Sequence, residues 1–470
     1  MDAKTPAPLS HAQARLIVIG MMLPVFMGSV DQSILSSALP TIGREFNNFT
    51  DLSWLITTYL IAATATTPLY GKLSDIHGRR FAMMIAIGAY LAGSLVCALA
   101  PNMATLILGR VLHGIGGGGL TSTGMVVLGD VAPPKDRARY YAYFSVTYTT
   151  AGACGPLLGG ILADYVNWSA IFWVNVPLGL AAIFFTLRVM RGLPRHERPH
   201  RLDFLGAGLI VASTVAFMFA ITAGGVRFPW SSPLIIWLLI FSAIVAALFV
   251  VRLRTAAEPL IPLSILNDKV ARYAIATNAL GWGGMISLNI YLPIYLQDVL
   301  GMSATAAGFS LMILMGVLNA SAGLISPTIG RQARYKTIPL IGLGASTLAV
   351  AVLAWQVNTL NIWGFEILLA IIGIGFGPLA PLTGVALQNT VPPWQFGSAI
   401  GTMNFLRSLA QTILVAVFGA IVLRDPTGAA AAASAGSFKI IFAIAALCLL
   451  CSFIAMYLLE EKPLSTTHVS

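Results

Sequence analysis

The chain has 470 residues, of which 57% are hydrophobic and 9% are charged, and its mean hydropathy is +0.84. A soluble domain carries about 25% charged residues, so this composition excludes a soluble protein and indicates a polytopic membrane protein. The net charge is +10, but the basic residues are scattered in short loops between apolar runs. That scatter argues against a nucleic-acid partner.

Fourteen apolar runs are long enough to cross a bilayer, because about 20 residues of helix span a hydrocarbon core of about 30 Å. We place the spans at 15–38, 52–71, 81–99, 104–128, 139–163, 168–188, 203–223, 233–252, 272–296, 304–328, 336–355, 361–382, 397–423 and 437–459. The first run continues past Asp31 to Pro40, so we interpret it as an uncleaved span and not a signal peptide. An even number of spans puts both termini on one side.

The basic residues fix that side. Of the 27 Lys and Arg residues, four lie on the opposite side (Arg44, Arg227, Arg424 and Lys439), two lie within the membrane (Arg110 and Arg407), and the others share one side. This pattern predicts cytoplasmic termini in a cell (inner) membrane. Two basic loops, at about 190–202 and 252–272, divide the chain into a six-helix bundle (1–200), two linking helices (201–264) and a second six-helix bundle (265–470).

The four cysteines, Cys97, Cys154, Cys448 and Cys451, all lie in apolar runs. Their placement favours packing over a disulfide framework, a metal site or redox chemistry. The sequence holds no G-x-x-x-x-G-K-[ST] loop and no enzyme constellation. We therefore expect no ATP hydrolysis, no catalysis, no metal and no cofactor.

The loop after the second span reads GKLSDIHGRR. Gly71 and Gly78 permit a tight turn, Asp75 is suited to accept backbone N–H groups at a helix start, and Arg79 and Arg80 are suited to anchor the inner face. An ordinary basic loop explains the arginines but not the spacing of the glycines and the aspartate.

This loop resembles that of the major facilitator superfamily, and more closely its fourteen-span drug/proton antiporter branch. Four further stretches resemble that branch: VDQSILSSALPTI with Asp31, LILGRVLHGIGGGG with Arg110 and Gly114, AGACGPLLGG with Gly155, Pro156, Gly159 and Gly160, and YLPIYLQDVLGMSATAAG.

The chain departs from the family pattern at Ile76, His113 and Ala151 and after Arg407. The resemblance implies an all-α integral membrane fold of two six-helix bundles plus two extra central helices. It also implies protons as the coupling ion, and a span-five contact between the bundles that limits leak.

Ionisable side chains within the spans are functional candidates, because an unpaired charge costs about 2.5–3.5 kcal/mol in hydrocarbon. At about 1.5 Å of rise per residue, Asp31 and Arg110 lie at one level, roughly 10 Å below the outer surface. They form either a fixed structural ion pair or a switch that protonation of Asp31 releases.

His113 follows Arg110 by one helical turn and is either a proton relay or an ordinary interior histidine. Glu366 is a second acidic candidate or a side chain that reaches the outer surface, and Arg407 is interpreted as a structural or latch residue.

Polar and aromatic side chains within the spans are candidates for a substrate cavity. With Asp31 they are Tyr59, Tyr143, Tyr148, Asn278, Trp282, Asn289, Asn319 and Gln388. Aromatic faces suit flat organic cations, although each residue alone is more often ordinary packing.

The sequence therefore predicts a proton-coupled antiporter that exports hydrophobic or cationic drugs and other toxic organic compounds by alternating access. The expected partners are small organic substrates and the lipid bilayer, and the expected state is a monomer. One alternative is a proton-coupled exporter of a native lipid, siderophore or secondary metabolite. Less favoured are a nutrient symporter and a membrane sensor that transports nothing.

Overall fold

The computed structural model describes residues 11–48, 51–132, 134–190, 202–225, 227–302, 304–329, 335–357, 361–422 and 435–462. Arg424 and residues 191–201, which form most of the first basic loop and contain the predicted bundle boundary, lie outside this part of the chain.

Helices make up nearly all of the described chain. The first seven are α1 (His11–Glu45), α2 (Leu52–His77), α3 (Arg79–Ala98), α4 (Met103–Val131), α5 (Pro134–Tyr165), α6 (Ala170–Trp173) and α7 (Asn175–Val189). The middle three are α8 (Phe204–Ala223), α9 (Pro233–Thr255) and α10 (Leu263–Asn267). The last seven are α11 (Lys269–Ile294), α12 (Ala304–Ile329), α13 (Thr337–Trp355), α14 (Ile362–Phe376), α15 (Leu379–Thr390), α16 (Phe396–Val422) and α17 (Ala435–Leu458). A π-helical turn, Tyr295–Val299, extends α11.

Twelve helical segments among the described residues are long and apolar enough to cross a membrane. Each of the fourteen predicted spans coincides with helix, but α2 and α5 are not among these twelve. Both of these helices carry several Thr and Tyr residues together with charged residues near their ends. The chain is thus a multi-pass membrane protein with about twelve apolar helices.

Polar residues begin several of these helices by capping free backbone N–H groups. Asn102 accepts a hydrogen bond from the backbone of Thr105 at the start of α4. Asp203 does the same for Gly206 in α8, and Asp268 for Ala271 in α11. The apolar runs that follow then bury one face in the bundle and present the other to lipid.

The helices pack in two groups. Helices α1 to α7 contact one another, with α4 between α2 and α3, and α11 to α17 form the second group around α11. The groups meet where α2 contacts α16 and where α5 contacts α12, and α8 and α9 form a hairpin that packs against α2 and α16. These two helix pairs make most of the contact between the groups, and α4 with α16 and α5 with α15 add to it.

The predicted twelfth span, 361–382, is not one helix. Helix α14 ends at Phe376, and α15 continues from Leu379 to Thr390, beyond the predicted limit. A Cβ at Gly377 would overlap Ser321 and the carbonyl of Leu318, so the backbone approaches α12 closely at the break. Pro378 then supplies no backbone N–H. This close approach depends on tertiary packing, which the apolar run did not reveal.

Candidate functional site

The structure brings Asp31 and Arg110 together inside the first helix group. Nη1 of Arg110 lies 2.7 Å and 2.9 Å from the two carboxylate oxygens of Asp31. Both side chains are 1% exposed. Nε of Arg110 donates to the Leu55 carbonyl oxygen at 2.9 Å, so the ion pair connects α1, α4 and α2. A role of this ion pair in transport stays a prediction.

His113 completes this cluster. Its Nδ1 lies 2.9 Å from Nη1 of Arg110 and 3.4 Å from an Asp31 oxygen. Because a guanidinium only donates hydrogen bonds, Nδ1 acts as the acceptor, and the neutral ring carries its proton on Nε2. Nε2 is buried and has no hydrogen-bond partner in the described part of the chain. The neutral imidazole therefore leaves its Nε2–H donor without a described acceptor beside the ion pair.

Tyr59 does not face an open cavity. Its ring lies under the Arg110 guanidinium, 4.4 Å from Cζ to the ring centroid, and its side chain is buried. The ring face expected to attract a cationic substrate is thus already occupied by a protein cation. Asp31 is likewise enclosed, since both of its oxygens contact Arg110.

Asp75 connects the two helix groups at the end of the bundle opposite the loop between α1 and α2. Its Oδ1 accepts a hydrogen bond from the Gly397 backbone at 2.9 Å, and its Oδ2 accepts one from the Ser398 backbone at 2.7 Å. Arg79 holds Oδ1 at 2.8 Å and also contacts Asp130 at 2.6 Å. This carboxylate caps the start of α16, where the helix dipole favours a negative charge.

Glycines bring the same helices into backbone contact. A Cβ at Gly71 would overlap the Gly397 carbonyl oxygen and lie 2.9 Å from its carbon. Gly78 has a φ of 86°, in the left-handed region that favours glycine, and forms the turn between α2 and α3. Arg80 is half-buried beside this network. The predicted loop motif is therefore a closed contact between α2 and α16.

Gly155 and Gly159 pack within the first helix group. A Cβ at Gly155 would overlap Oγ of Ser33, and one at Gly159 would overlap the carbonyl oxygen of Ile34. Both contacts join α5 to α1, whereas the resemblance implied a contact between the bundles at this motif. Gly160 has no neighbour within 4 Å at its Cβ position, and α5 continues through Pro156 without a break. The closest contacts of this motif thus fix α5 on α1.

Arg407 lies at the junction of the two groups. Its guanidinium carbon is 5.9 Å from the ring centroid of Trp282 on α11. The hydroxyls of Tyr148 and Tyr141 on α5 lie within electrostatic range of its charge. Two of the predicted cavity residues, Tyr148 and Trp282, are therefore assembled around a residue that the sequence suggested was structural.

The other predicted cavity residues make mostly structural contacts. Asn278 donates to the Thr383 hydroxyl at 2.9 Å, and Gln388 donates to the Met125 carbonyl oxygen at 3.2 Å. Tyr143 stacks on a neighbour in its own helix, with centroids 6.0 Å apart. Asn319 donates to a carbonyl oxygen in its own helix at 2.8 Å, and Asn289 is half-buried. Of these residues, Gln388 is the one that bridges the two helix groups.

Glu366 lies in the second helix group, apart from Asp31. It accepts a hydrogen bond from the Ser310 hydroxyl of α12, and its Oε2 is buried with no hydrogen-bond partner among the described residues. Glu366 is thus a separate acidic site.

The sequence did not single out three residues that complete these contacts. Asp130 pairs with Arg79, Ser398 binds Asp75, and Ser310 binds Glu366. Only Asp130 gave a sequence signal, because it is an acidic residue at the end of an apolar run. The two serines acquire their roles through packing between distant segments.

Comparisons with known proteins identify relatives over most of the chain. A model of the Major Facilitator Superfamily matches residues 21–415. Multidrug resistance protein 3 of Bacillus subtilis (strain 168) is 32% identical over 424 residues, which cover 90% of this chain and 81% of that protein. Multidrug transporter protein MdtP of the same organism is 29% identical over 418 residues, which cover 88% of this chain and 76% of that protein. The crystal structure of the human organic anion transporter MFSD10 (TETRAN) superposes with a TM-score of 0.69 at 16% identity, over 94% of this chain and 99% of that chain. At that identity the superposition shows a shared fold alone.

Proposed function

The chain belongs to the Major Facilitator Superfamily of membrane transporters, and from this premise we propose that it is a proton-coupled antiporter that exports hydrophobic organic compounds, drugs among them. The similarity to two multidrug transporters supports this function. The observation that carries the coupling is the buried contact of Asp31 with Arg110 and His113.

Protonation of Asp31 is the coupling step. A proton on the carboxyl group removes the negative charge that holds Arg110, and leaving a buried charge without its partner costs about 3–5 kcal/mol. Arg110 can lower this cost by moving toward water or toward another acceptor. Because Arg110 also binds the Leu55 carbonyl oxygen, its movement shifts α2 relative to α4. Protonation is thereby linked to the helix that joins the two groups.

Helix α2 is also the helix that closes the interface around Asp75. Every residue of α16 from Phe396 to Phe405 is buried, whereas most residues beyond Arg407 are only half-buried. This gradient supports an arrangement closed at the Asp75 end and more open at the other. Rocking of residues 1–200 against 265–470 then gives alternating access.

The orientation and the number of spans belong to the same proposal. Helices α2 and α5 have 26 and 32 residues, each long enough to cross a bilayer at about 1.5 Å per residue. Both pack among apolar helices, and most of their described Thr and Tyr side chains are buried or half-buried. We therefore assign fourteen spans, with 201–264 linking the bundles and both termini in the cytoplasm of a cell with this chain in its inner membrane.

A panel of compounds tests the function in everted membrane vesicles. Their lumen is acidified, and a pH-sensitive dye reports the lumenal pH when a compound is added outside. Antiport predicts alkalinisation, because each compound that enters the lumen releases protons. A panel that includes drugs, a lipid, a siderophore and secondary metabolites also distinguishes drug export from the alternative of a native substrate. Uptake of compounds into intact cells in place of alkalinisation would indicate a symporter.

A further inference from the structure

Arg407 is a half-buried cation that has no carboxylate partner in the described part of the chain. Its Nε is buried and finds no acceptor in the described part of the chain, and no acidic side chain lies within ion-pair distance of its guanidinium there. By contrast, Arg79 and Arg110 are each held by aspartates at 2.6–2.8 Å. An uncompensated charge inside a membrane protein marks a substrate or ion pathway by default.

A second donor beside Arg407 is also unsatisfied. Nε1 of Trp282 is buried without a hydrogen-bond partner among the described residues, and the indole ring is 5.9 Å from the Arg407 carbon. Guanidinium and indole nitrogens donate and never accept. Two adjacent helices, α11 and α16, therefore present unused donors at one place, and the group that satisfies them must be an acceptor.

The position of these donors suits a transported substrate. Arg407 lies 11 residues, or about 17 Å, along α16, and Trp282 lies 13 residues, or about 20 Å, along α11. Both helices begin at the same end of the bundle, so the two side chains lie near mid-membrane. Tyr148, 14 residues along α5, reaches the same level from the first helix group. The substrate sites of such transporters lie near mid-membrane between the bundles.

The surrounding charges leave this place positive. Asp31 is paired with Arg110 inside the first helix group. Asp75 and Asp130 are both held by Arg79 near the start of α16, away from Arg407. Glu366 is only four residues from the start of α14 and binds Ser310, so it lies near the outer surface and not beside Arg407. A cationic substrate would meet an unpaired guanidinium here and no available carboxylate.

We propose that Arg407 and Trp282 form the recognition site for an organic anion, a compound with an aromatic body and a carboxylate or sulfonate group. The planar guanidinium binds such a group through parallel hydrogen bonds, and the indole N–H adds a third donor. The rings of Trp282 and Tyr148 pack against the aromatic body of the substrate. This inference rests on the proposed export function and names the substrate class that the function takes.

Binding of three matched naphthalenes tests this site on the full-length protein in lipid nanodiscs, by equilibrium dialysis. The probes are 2-naphthoate, the neutral 2-naphthamide and the cation 2-naphthylmethylammonium, which share one aromatic body and differ in charge. Wild type should bind the anion most tightly. Arg407→Gln should weaken 2-naphthoate binding by about tenfold or more and leave 2-naphthamide within about threefold. Arg407→Lys, which keeps the charge, should retain part of the affinity for the anion.

Arg254→Gln is the matched control, because Arg254 is an exposed arginine at the end of α9, and its affinities should equal those of wild type. The proposal is wrong if wild type binds the cation as tightly as 2-naphthoate, or if Arg407→Gln binds 2-naphthoate as wild type does. If Arg407→Gln also weakens 2-naphthamide binding, the Arg407→Lys variant distinguishes the explanations. Retained binding of 2-naphthoate by Arg407→Lys would support the site, and loss of that binding would contradict it. Binding is measured without transport. A failure of proton-coupled export in the vesicle experiment would therefore contradict the proposed function without deciding whether this site binds anions.

Discussion

Asp75 and Ser398, on opposite sides of the junction between the helix groups, are joined by two hydrogen bonds. The Ser398 backbone nitrogen lies 2.7 Å and its hydroxyl oxygen 2.8 Å from Oδ2 of Asp75. The proposed alternating access requires this end of the junction to open, and under that proposal both bonds break in each cycle. Asp75 therefore stabilises the state that is closed at this end.

Substitution of Asp75 should open that end. Asp75→Asn removes the negative charge that caps α16, and hydrogen bonds to a charged group contribute about 1.5–3 kcal/mol. Spin labels at Phe81 and Lys269, on exposed positions of α3 and α11, should report a longer distance in this variant. Asp130→Asn is the control, because Asp130 binds Arg79 and not α16. Equal distance distributions in the two variants would contradict a special role for Asp75.

Gly71 should tolerate no larger side chain when the junction is closed. The Cβ of Gly71→Ala would overlap the Gly397 carbonyl oxygen, and backbone cannot move aside as a flexible side chain does. We expect the same spin-label pair to report a shift toward the open arrangement, with slower export. Gly88→Ala adds the same methyl group at a position with no neighbour within 4 Å. That control should behave as wild type, and a similar change in both variants would show that overlap at Gly71 is not the cause.

Substitution of a closely packed glycine in α5 should lower the thermal stability of the protein more than it changes transport. Gly159→Ala would overlap the Ile34 carbonyl oxygen, whereas Gly160→Ala meets open space. Overpacking costs about 1–3 kcal/mol, so thermal unfolding in detergent should occur at a lower temperature for Gly159→Ala alone. If Gly159→Ala unfolds at the wild-type temperature, the close contact of α5 with α1 is not needed for stability.

The sequence predicted the helices and one ion pair well, for physical reasons. Runs of about 20 apolar residues have few structures open to them in a bilayer, so each predicted span coincides with helix. The fixed rise of a helix also gave a depth, which placed Asp31 level with Arg110. The membrane orientation of the chain stays a prediction.

The contacts between the two helix groups could not be predicted from the sequence. Asp75 meets Ser398 across more than 300 residues of sequence, and no local pattern encodes that pairing. The sequence singled out Arg407 and Trp282 separately, and only the packing of α11 against α16 brings them together. The break at Gly377 has the same origin, because it follows from the close approach of α12.

The account depends most on Asp31 as the proton carrier. The direct test measures the lumenal pH of acidified everted vesicles for wild type, Asp31→Asn and the control Asp51→Asn, whose aspartate forms a partly exposed ion pair with Arg227. Compound binding to the purified proteins is measured in parallel. We predict that Asp31→Asn binds compound but gives no alkalinisation, while Asp51→Asn responds as wild type does. Alkalinisation by Asp31→Asn equal to that of wild type would contradict the account.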